Sequence, residues 1–285
     1  SWTLTALPLF VWMGEILFRT KLSENLFKGL SPWLSKLPGG LVHVNVVGCA
    51  LFAAISGSSA ATVATVGKMS IPELRKRKYP EKLLLGSLAG SGTLGLLIPP
   101  SIILIIYGVT IEDSIAKLFM AGILPGIMLA VMFMLYVIFW SILNKKLMPK
   151  STKNFSFAEK VQGSKQLLPV IFLITGVIGS IYTGIATATE AASLGVVGAL
   201  ILSFFQGTLS KETFNLSLLG ATKTSCMIAF IIAGSTFLSL AMGFTGLPRN
   251  LAIWIDGMNL SPYTLLFVLT IFYIILGMFL DGISA

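Results

Sequence analysis

A serine-rich cluster in the middle of an apolar segment holds the side chains best suited to bind an ion. The segment at 51–67 reads LFAAISGSSAATVATVG, and the residues that interrupt it are Ser56, Gly57, Ser58 and Ser59. Hydroxyl groups and freed carbonyls are hard oxygen ligands that sodium accepts, and a helix restarting at 60–62 would turn its positive dipole end toward a carboxylate. A hydrophobic segment broken at its centre points to an ion or substrate site, although small residues also allow plain helix packing.

A second interruption lies at 92–101, which reads GTLGLLIPPS. Proline lacks an amide donor and disfavours helix in the residue before it, so we expect the segment to unwind there, opposite the tip that carries the serines, and to expose backbone carbonyls. The alternative is a simple kink. The candidate ligands from this break are Thr93, Gly95, Pro99, Pro100 and Ser101.

A carboxylate close to the last residue is the third candidate. Asp281 follows an apolar run, and Gly282 and Ser284 come after it. A charged side chain within a membrane is costly, so Asp281 is a candidate either to bind sodium or to cap a hairpin tip. The candidate site residues from this stretch are Asp281, Gly282 and Ser284.

Other polar residues are candidates to support the site. We expect Glu190 to have a capping role, because Thr187 or Thr189 could begin a helix there. His43 and Asn45 lie on the first arm of the segment that carries the serines. We expect His43 to be a buried hydrogen-bonding residue and Asn45 to brace that arm.

The composition is that of a polytopic membrane protein. The chain has 285 residues, of which 55% are hydrophobic and 11% charged, whereas a soluble domain has about 25% charged residues. Several apolar runs approach the roughly 20 residues that span a bilayer. Cys49 and Cys226 both lie in apolar runs and give no sign of a disulfide framework, and a single histidine without a Cys/His cluster argues against a metal site of those ligands.

The net charge of +9 is distributed as the positive-inside rule predicts, which argues against a nucleic-acid partner. Of the 20 Lys and Arg residues, 18 fall in four blocks between the apolar runs, and the exceptions are Lys117 and Arg249. We expect all four blocks to be cytoplasmic. The blocks are 19–37, 68–82, 143–165 and 207–223.

Apolar runs and charge blocks together predict the path of the chain. Two stretches, 22–37 and 246–260, mix apolar and polar residues at helical spacing and read as amphipathic helices at the interface. The segment at 41–67 begins and ends among cytoplasmic basic residues, so we expect a re-entrant hairpin. The remaining predicted segments are 4–18, 83–108, 114–142, 166–182, 190–206, 224–243 and 262–279.

Two parts of this path match after a shift of 225 positions. Asn25-Leu26 falls on Asn250-Leu251, and the small-residue stretch at 57–60 falls on 282–285. In both parts a spanning helix is followed by an amphipathic arm and a re-entrant segment, and the charges put the two arms on opposite sides. We therefore predict an inverted repeat, as in many secondary transporters.

Five motifs in order resemble the large membrane subunit of tripartite ATP-independent periplasmic (TRAP) transporters, the DctM-like family. They are GGL at 39–41 with HVNVV at 43–47, ISGSSAAT at 55–62, LLIPPSI at 96–102, TATEAA at 187–192 and GMFLDG at 277–282. The resemblance runs along essentially the whole chain. Where the family often has Pro before the Thr-Glu pair, this chain has Ala188, which changes the local bend rather than the family.

The resemblance implies a sodium-coupled importer of organic anions that works by an elevator mechanism, in the bacterial inner membrane. It implies three partners besides the lipid bilayer: a periplasmic substrate-binding protein, a small four-helix membrane subunit and an organic anion of the C4-dicarboxylate or sialic-acid type. It implies no cofactor other than sodium as coupling ion. The fold implied is all-α, with an inverted repeat, two re-entrant hairpins and interfacial arm helices.

Several other functions remain open from the sequence. The first is another ion-coupled anion transporter that works without a binding protein. A channel also uses broken helices, although hairpins and inverted arms favour alternating access. An intramembrane hydrolase would need two paired carboxylates or an oriented serine–histidine pair, and neither Glu15, Glu190 and Asp281 nor Ser58 and His43 offer a matching motif.

We expect five regions along the chain. They are a scaffold helix and arm at 1–38, hairpin 1 and the broken helix at 39–108, connecting and scaffold helices at 109–243, a second arm at 244–261 and the start of hairpin 2 at 262–285. Because the chain opens against an apolar run and stops inside a motif, we also expect a longer protein with further residues at both ends.

Overall fold

The computed structural model describes residues 2–20, 22–149, 155–165 and 167–280, and this part of the chain is helical throughout apart from its turns. Short 3-10 helices lie at Trp2–Thr5, Gly40–Val42 and Lys145–Leu147. The α-helices are α1 (Ala6–Phe18), α2 (Leu22–Leu34), α3 (His43–Ser56), α4 (Ser59–Lys76), α5 (Glu81–Gly92), α6 (Leu94–Leu97), α7 (Ile102–Thr110), α8 (Ile115–Leu143), α9 (Phe157–Ser164), α10 (Leu168–Tyr182), α11 (Ala188–Phe205), α12 (Lys211–Thr245), α13 (Leu247–Gly257) and α14 (Pro262–Phe279).

The described helices include five that are long and apolar enough to cross a membrane, which confirms the polytopic all-α class. One of the five is the stretch from α5 to α7, interrupted by the predicted break. A sixth is obtained if α9 and α10, which are bent by 55°, count together. The five spans are Glu81–Thr110, Ile115–Leu143, Ala188–Phe205, Lys211–Thr245 and Pro262–Phe279.

Helices α3 and α4 form an antiparallel hairpin. Gly57 joins them with φ +59°, a left-handed conformation that glycine adopts without the strain a side chain would add. A Cβ added at Gly48 would lie 3.6 Å from Val66 Cγ1, and these two residues are equally far from Gly57 along the chain. The serine-rich cluster therefore lies at the tip, where the chain reverses direction.

Tyr79 ties the opposite end of this hairpin together. The Leu41 amide, just before α3, donates a hydrogen bond to the Tyr79 hydroxyl, just after α4, at 3.1 Å. Leu41 also packs in an apolar cluster with Leu74 and Leu84. The two legs of the hairpin are thus joined at their base as well as at the tip.

The crossing from α5 to α7 is broken where proline and glycine predicted it. Helix α5 ends at Gly92, one short turn follows as α6, and Ile98 is extended with ψ 120°. The Pro99–Pro100 peptide bond is cis. Ser101 begins α7 as its N-cap residue.

Helix α8 packs closely on the break. A Cβ at Gly122 would lie 2.6 Å from the Leu97 carbonyl oxygen, and one at Gly126 would lie 2.9 Å from Ile98 Cγ1. Leu94 is fully buried in a cluster with Val46 of α3. Small residues on α8 therefore let an intact spanning helix support a segment that has lost its own helical hydrogen bonds.

Helix α1 packs mainly on α11 and also contacts the first turns of α12. The Trp12 indole donates to the Ser217 hydroxyl at 3.2 Å. Arg19 forms an ion pair with Glu15 at 3.0 Å and donates to the Leu216 carbonyl oxygen at 3.3 Å. This charged pair is about three-quarters buried, and the Nε atom of Arg19 has no hydrogen-bond partner in the described structure.

The chain divides into two compact units, Ser1–Thr222 and Lys223–Ala285. In the described part of the second unit, α12 is followed by the amphipathic α13 and the apolar α14. Helix α13 begins at Leu247, which is 225 positions after the first residue of α2. The inverted repeat and the five expected regions stay predictions.

Candidate functional site

The tip of the α3–α4 hairpin is held in shape by hydrogen bonds among its own residues. The Ser58 carbonyl oxygen accepts from the Thr62 amide at 3.0 Å, from Thr62 Oγ1 at 2.7 Å and from Ser56 Oγ at 3.3 Å. The hydroxyls of Ser56 and Thr62 are 2.9 Å apart. The tip is therefore a compact network in which one carbonyl is shared by three donors.

The structure brings this tip against the break in the α5–α7 crossing. The Ile102 amide donates to the Gly57 carbonyl oxygen at 3.3 Å. A Cβ at Gly57 would lie 2.6 Å from the Pro100 carbonyl oxygen, and a Cβ at Gly95 would lie 2.9 Å from the Ser58 carbonyl carbon. The two interruptions therefore lie against each other, and the two backbones touch at Gly57 and Gly95.

The candidate ligands from the break would offer an ion backbone carbonyls, because their hydroxyls already donate hydrogen bonds. The Ser101 hydroxyl is buried and donates to the Leu96 carbonyl oxygen at 2.7 Å, which stabilises the unwound turn. Thr93 is exposed, and its hydroxyl donates to the Gly90 carbonyl oxygen at 2.7 Å. Pro99 and Pro100 are both buried, and Pro100 lies against the tip at Gly57.

Most of the groups with which this region could bind a ligand are oxygen atoms. Carbonyls of an unwound segment and serine hydroxyls suit a small hard cation, while the first amides of α4 suit an anion. Ser59 is partly exposed, and no hydrogen bond to another described residue occupies its hydroxyl. Within the described residues no three His, Cys, Asp or Glu side chains gather as a transition-metal site would require.

Thr62 also belongs to the tip, although its position in the sequence did not mark it as a candidate ligand. It is fully buried and its hydroxyl links Ser56 to Ser58. The available signal was its spacing, because a threonine four residues after an N-cap serine can bond back to that carbonyl.

His43 and Asn45 lie nearer the base of the hairpin than its tip. His43 Nε2 is 2.8 Å from the Pro38 carbonyl oxygen, and the histidine is fully buried. The Asn45 amide group donates to the Leu84 carbonyl oxygen at 3.2 Å and to Ser87 Oγ at 3.0 Å. Asn45 therefore ties α3 to α5, which is the bracing contact expected of it.

Glu190 and Thr187 form a capping box at the start of α11. The Glu190 amide donates to Thr187 Oγ1 at 3.4 Å, and the Thr187 amide donates to Glu190 Oε2 at 2.8 Å. Thr189 is not part of this box, and its carbonyl accepts from Ser193 Oγ at 3.0 Å within α11. Within the described chain no hydrogen bond joins this corner to the hairpin tip. The remaining candidates, Asp281, Gly282 and Ser284, lie outside the described residues.

Comparison with known proteins places this geometry in a family. The family model described as "Tripartite ATP-independent periplasmic transporter, DctM component" matches residues 1–285. The C4-dicarboxylate TRAP transporter large permease protein DctM of Pseudomonas aeruginosa is 32% identical over 281 residues, which cover 98% of this chain and 65% of that protein.

Two further relatives have different substrates in their names. The sialic acid TRAP transporter large permease protein SiaM of Vibrio cholerae is 30% identical over 289 residues, 100% of this chain and 66% of SiaM. The 2,3-diketo-L-gulonate TRAP transporter large permease protein YiaN of Escherichia coli is 33% identical over 285 residues, 99% of this chain and 66% of YiaN.

The chain thus spans about two thirds of the length of the relatives it matches. Because the family is one of transporter permeases, the intramembrane hydrolase considered from the sequence is excluded. The match of the family model along the whole chain establishes that this protein belongs to the DctM family of TRAP transporter large membrane subunits.

Proposed function

We propose that the protein is the ion-coupling and substrate-carrying subunit of a sodium-driven importer of organic acid anions in the bacterial inner membrane. The observation that carries the proposal is the contact between the hairpin tip and the broken crossing, at Gly57, Pro100 and Ile102. Two interrupted helices that meet tip to break concentrate backbone carbonyls and a helix N-terminus at one point, as a sodium and carboxylate site requires.

Sodium would bind at this contact. The ligands we propose are oxygens of Ser56, Gly57, Ser58 and Ser59 from the tip, and of Thr93, Gly95, Pro99, Pro100 and Ser101 from the break. The Ser58 carbonyl already has three donors, so the carbonyls of the unwound turn are the more available ligands. Asp281, Gly282 and Ser284 would form the pseudo-symmetric counterpart, with Asp281 balancing the charge of the cation.

We propose an elevator mechanism, and the way the hairpin is built supports it. The segment at 39–108 would move as the first half of the transport domain, while 1–38 and 109–243 supply scaffold and connections. Hydrogen bonds of Thr62 and Tyr79 hold the hairpin together, and Asn45 ties it to α5. A body that is joined internally moves more readily as a whole than by separating its parts.

The partners and the substrate class rest on the family. We propose a small four-helix membrane subunit and a periplasmic substrate-binding protein as partners. The relatives named above for C4-dicarboxylates, sialic acid and 2,3-diketo-L-gulonate support an organic acid as substrate. The N-terminal turn of α4 beside the tip would bind the carboxylate.

Reconstitution tests the proposal. The full-length permease and its small subunit are placed in proteoliposomes, and uptake of radiolabelled malate or sialic acid is followed with the cognate binding protein outside. We expect saturable uptake that needs both the binding protein and an inward sodium gradient. Uptake at the same rate without the binding protein would contradict the role of that protein. Flux that does not saturate with substrate concentration would indicate a channel.

A further inference from the structure

A cavity lies away from the hairpin tip, at the basic end of α8. It has a volume of about 900 Å³ and lies between the loop that joins α2 to α3 and the residues that follow α8. Gly39 and Gly40, both with positive φ, form part of its wall. A Cβ at Gly39 would lie 3.2 Å from Ser141 Oγ, and a Cβ at Gly40 would lie 2.5 Å from the Tyr79 hydroxyl.

All charged residues that line this cavity are positive. Lys36 contributes from the α2–α3 loop and Lys145 from the turn after α8. Neither ammonium forms an ion pair with a carboxylate of the described chain, and no Asp or Glu lines the cavity. Two cations at the rim without a counter-charge favour an anionic ligand.

Two hydroxyl groups give the wall uncommitted donors. Ser141 is 3% exposed, and its hydroxyl has no hydrogen-bond partner in the described structure. The Tyr79 oxygen accepts from the Leu41 amide, which leaves its own proton free to be donated. Burial raises the pKa of the Tyr79 phenol, against smaller opposing effects of the Leu41 amide and Arg77. The phenol therefore keeps this proton at neutral pH.

An apolar path leads from the cavity along the outside of α8. Ile142 lines the cavity and is 47% exposed, and Phe139 and Leu135 continue the exposed face toward the membrane centre. Ser141 lies in the last turn of this spanning helix and Lys145 just after it, and the ends of a spanning helix are where lipid headgroups are expected. A ligand here can place an anionic group between the lysines and a hydrocarbon chain on α8.

We propose that this cavity binds the phosphodiester headgroup of an anionic phospholipid of the cytoplasmic leaflet. Lys36 and Lys145 would neutralise the phosphate, and Ser141 and Tyr79 would donate hydrogen bonds to its oxygens. An acyl chain would follow Ile142 and its neighbours on α8. The bound lipid would then join the base of the α3–α4 hairpin to the end of α8.

Lipid titration tests this site without measuring transport. The full-length permease is purified in a neutral detergent, and phosphatidylglycerol, phosphatidylcholine or inorganic phosphate is added. Native mass spectrometry counts the bound lipids, and the thermal midpoint reports their effect. We expect one tightly held phosphatidylglycerol and a higher thermal midpoint with that lipid than with phosphatidylcholine.

Paired charge variants assign the binding to this cavity. Lys36→Gln combined with Lys145→Gln should remove the tightly bound lipid and at least halve the thermal shift. Lys68→Gln combined with Lys82→Gln removes two exposed lysines that do not line the cavity and should leave both readouts unchanged. Equal loss in the two double variants would show a diffuse charge effect and overturn the proposal.

The wall hydroxyls provide the second set of variants. Ser141→Ala and Tyr79→Phe each remove a single donor, so each should weaken phosphatidylglycerol binding about fivefold. Lipid binding that stays at the parental affinity in both variants would contradict the assigned wall. Stabilisation by inorganic phosphate as strong as that by the lipid would show a soluble anion site and overturn the lipid as its ligand.

Discussion

The amide nitrogen of Ile102 lies 3.3 Å from the carbonyl oxygen of Gly57, and this hydrogen bond joins the two interrupted helices of the site. Each partner follows from a local break: Gly57 ends α3 in a left-handed conformation, and Ile102 begins α7 after two prolines. An amide at the start of a helix and a carbonyl at the end of another are both left without helical partners. Their pairing fixes where the tip meets the break.

Gly57→Ala should disable the site. Alanine is strained at φ +59°, by about 1–2 kcal/mol, and its Cβ would lie 2.6 Å from the Pro100 carbonyl oxygen. We expect sodium-dependent uptake to fall at least about tenfold at equal membrane abundance. Gly86→Ala on α5 is the matched control, since its Cβ would meet nothing within 4 Å, and it should transport normally. A similar loss of uptake in Gly57→Ala and Gly86→Ala would show that transport does not depend on the conformation of the tip.

Thr62→Val should loosen the tip while keeping its shape. Valine fills the same space but loses the bonds to the Ser58 carbonyl and to Ser56, at a cost of about 1–3 kcal/mol. We expect a lower thermal midpoint and a higher sodium concentration for half-maximal uptake. Thr110→Val removes a similar bond from Thr110 to Ile106 on the exposed surface of α7 and should change neither quantity. An unaltered sodium dependence in Thr62→Val would remove the tip from the ion site.

Arg19→Gln should destabilise the contact between α1 and the start of α12. It leaves the Glu15 carboxylate without its cation, at a cost of about 2 kcal/mol for a pair that is three-quarters buried. Adding Glu15→Gln removes the stranded charge, so the double variant should recover more than half of the lost stability. Thermal unfolding in detergent measures both steps. A double variant less stable than the single one would show that each charge has another partner.

Cysteine labelling should place the two ends of α8 on opposite sides of the membrane. The helix is continuous over 29 residues, a length of about 43 Å, which is enough to cross the bilayer. In a Cys226→Ser background, an impermeant maleimide added to spheroplasts, whose inner membrane is intact, should modify Glu112→Cys but not Lys146→Cys. Permeabilised cells provide the control, in which both should react. Labelling of Lys146→Cys alone in spheroplasts would reverse the proposed topology.

Asp281→Asn should weaken sodium binding more than it weakens docking of the binding protein. A carboxylate at the predicted second tip would neutralise a cation, and its basic counterparts in the sequence lie almost entirely in the loops. Uptake against external sodium, at saturating loaded binding protein, measures the half-saturation. An unchanged value would leave Asp281 as a capping residue.

Helix positions could be predicted closely because apolar runs and breakers determine them. The stretch at 246–260 became α13 at Leu247–Gly257, and the stretch at 166–182 became α10 at Leu168–Tyr182. Helix α12 is the main difference, since it begins at Lys211 rather than near 224. Its polar first turns lie outside the hydropathy signal and pack on α1 through Ser217.

The contacts within the site could not be predicted from the sequence. Glycine and proline indicated two breaks, but only the packing of α3, α4 and α8 on the crossing brings Gly57 to Pro100. The capping roles of Thr187 and Glu190 were predictable because they depend on neighbours along the chain. The role of Thr62 depends on which way its hydroxyl turns, which residue spacing alone leaves undecided.

The bond between Leu41 and Tyr79 has a mechanical consequence for the hairpin. One hydrogen bond joins the two legs at the base of the hairpin, and the hydroxyl of Thr62 joins them at the tip. The hairpin is therefore closed at both ends. Separating α3 from α4 would break the hydrogen bonds at both ends of the hairpin. Rotating or translating the hairpin as one body would break neither of them. A displacement of the chain near Tyr79 would therefore move Gly57 together with the rest of the hairpin, without altering the internal shape of the tip.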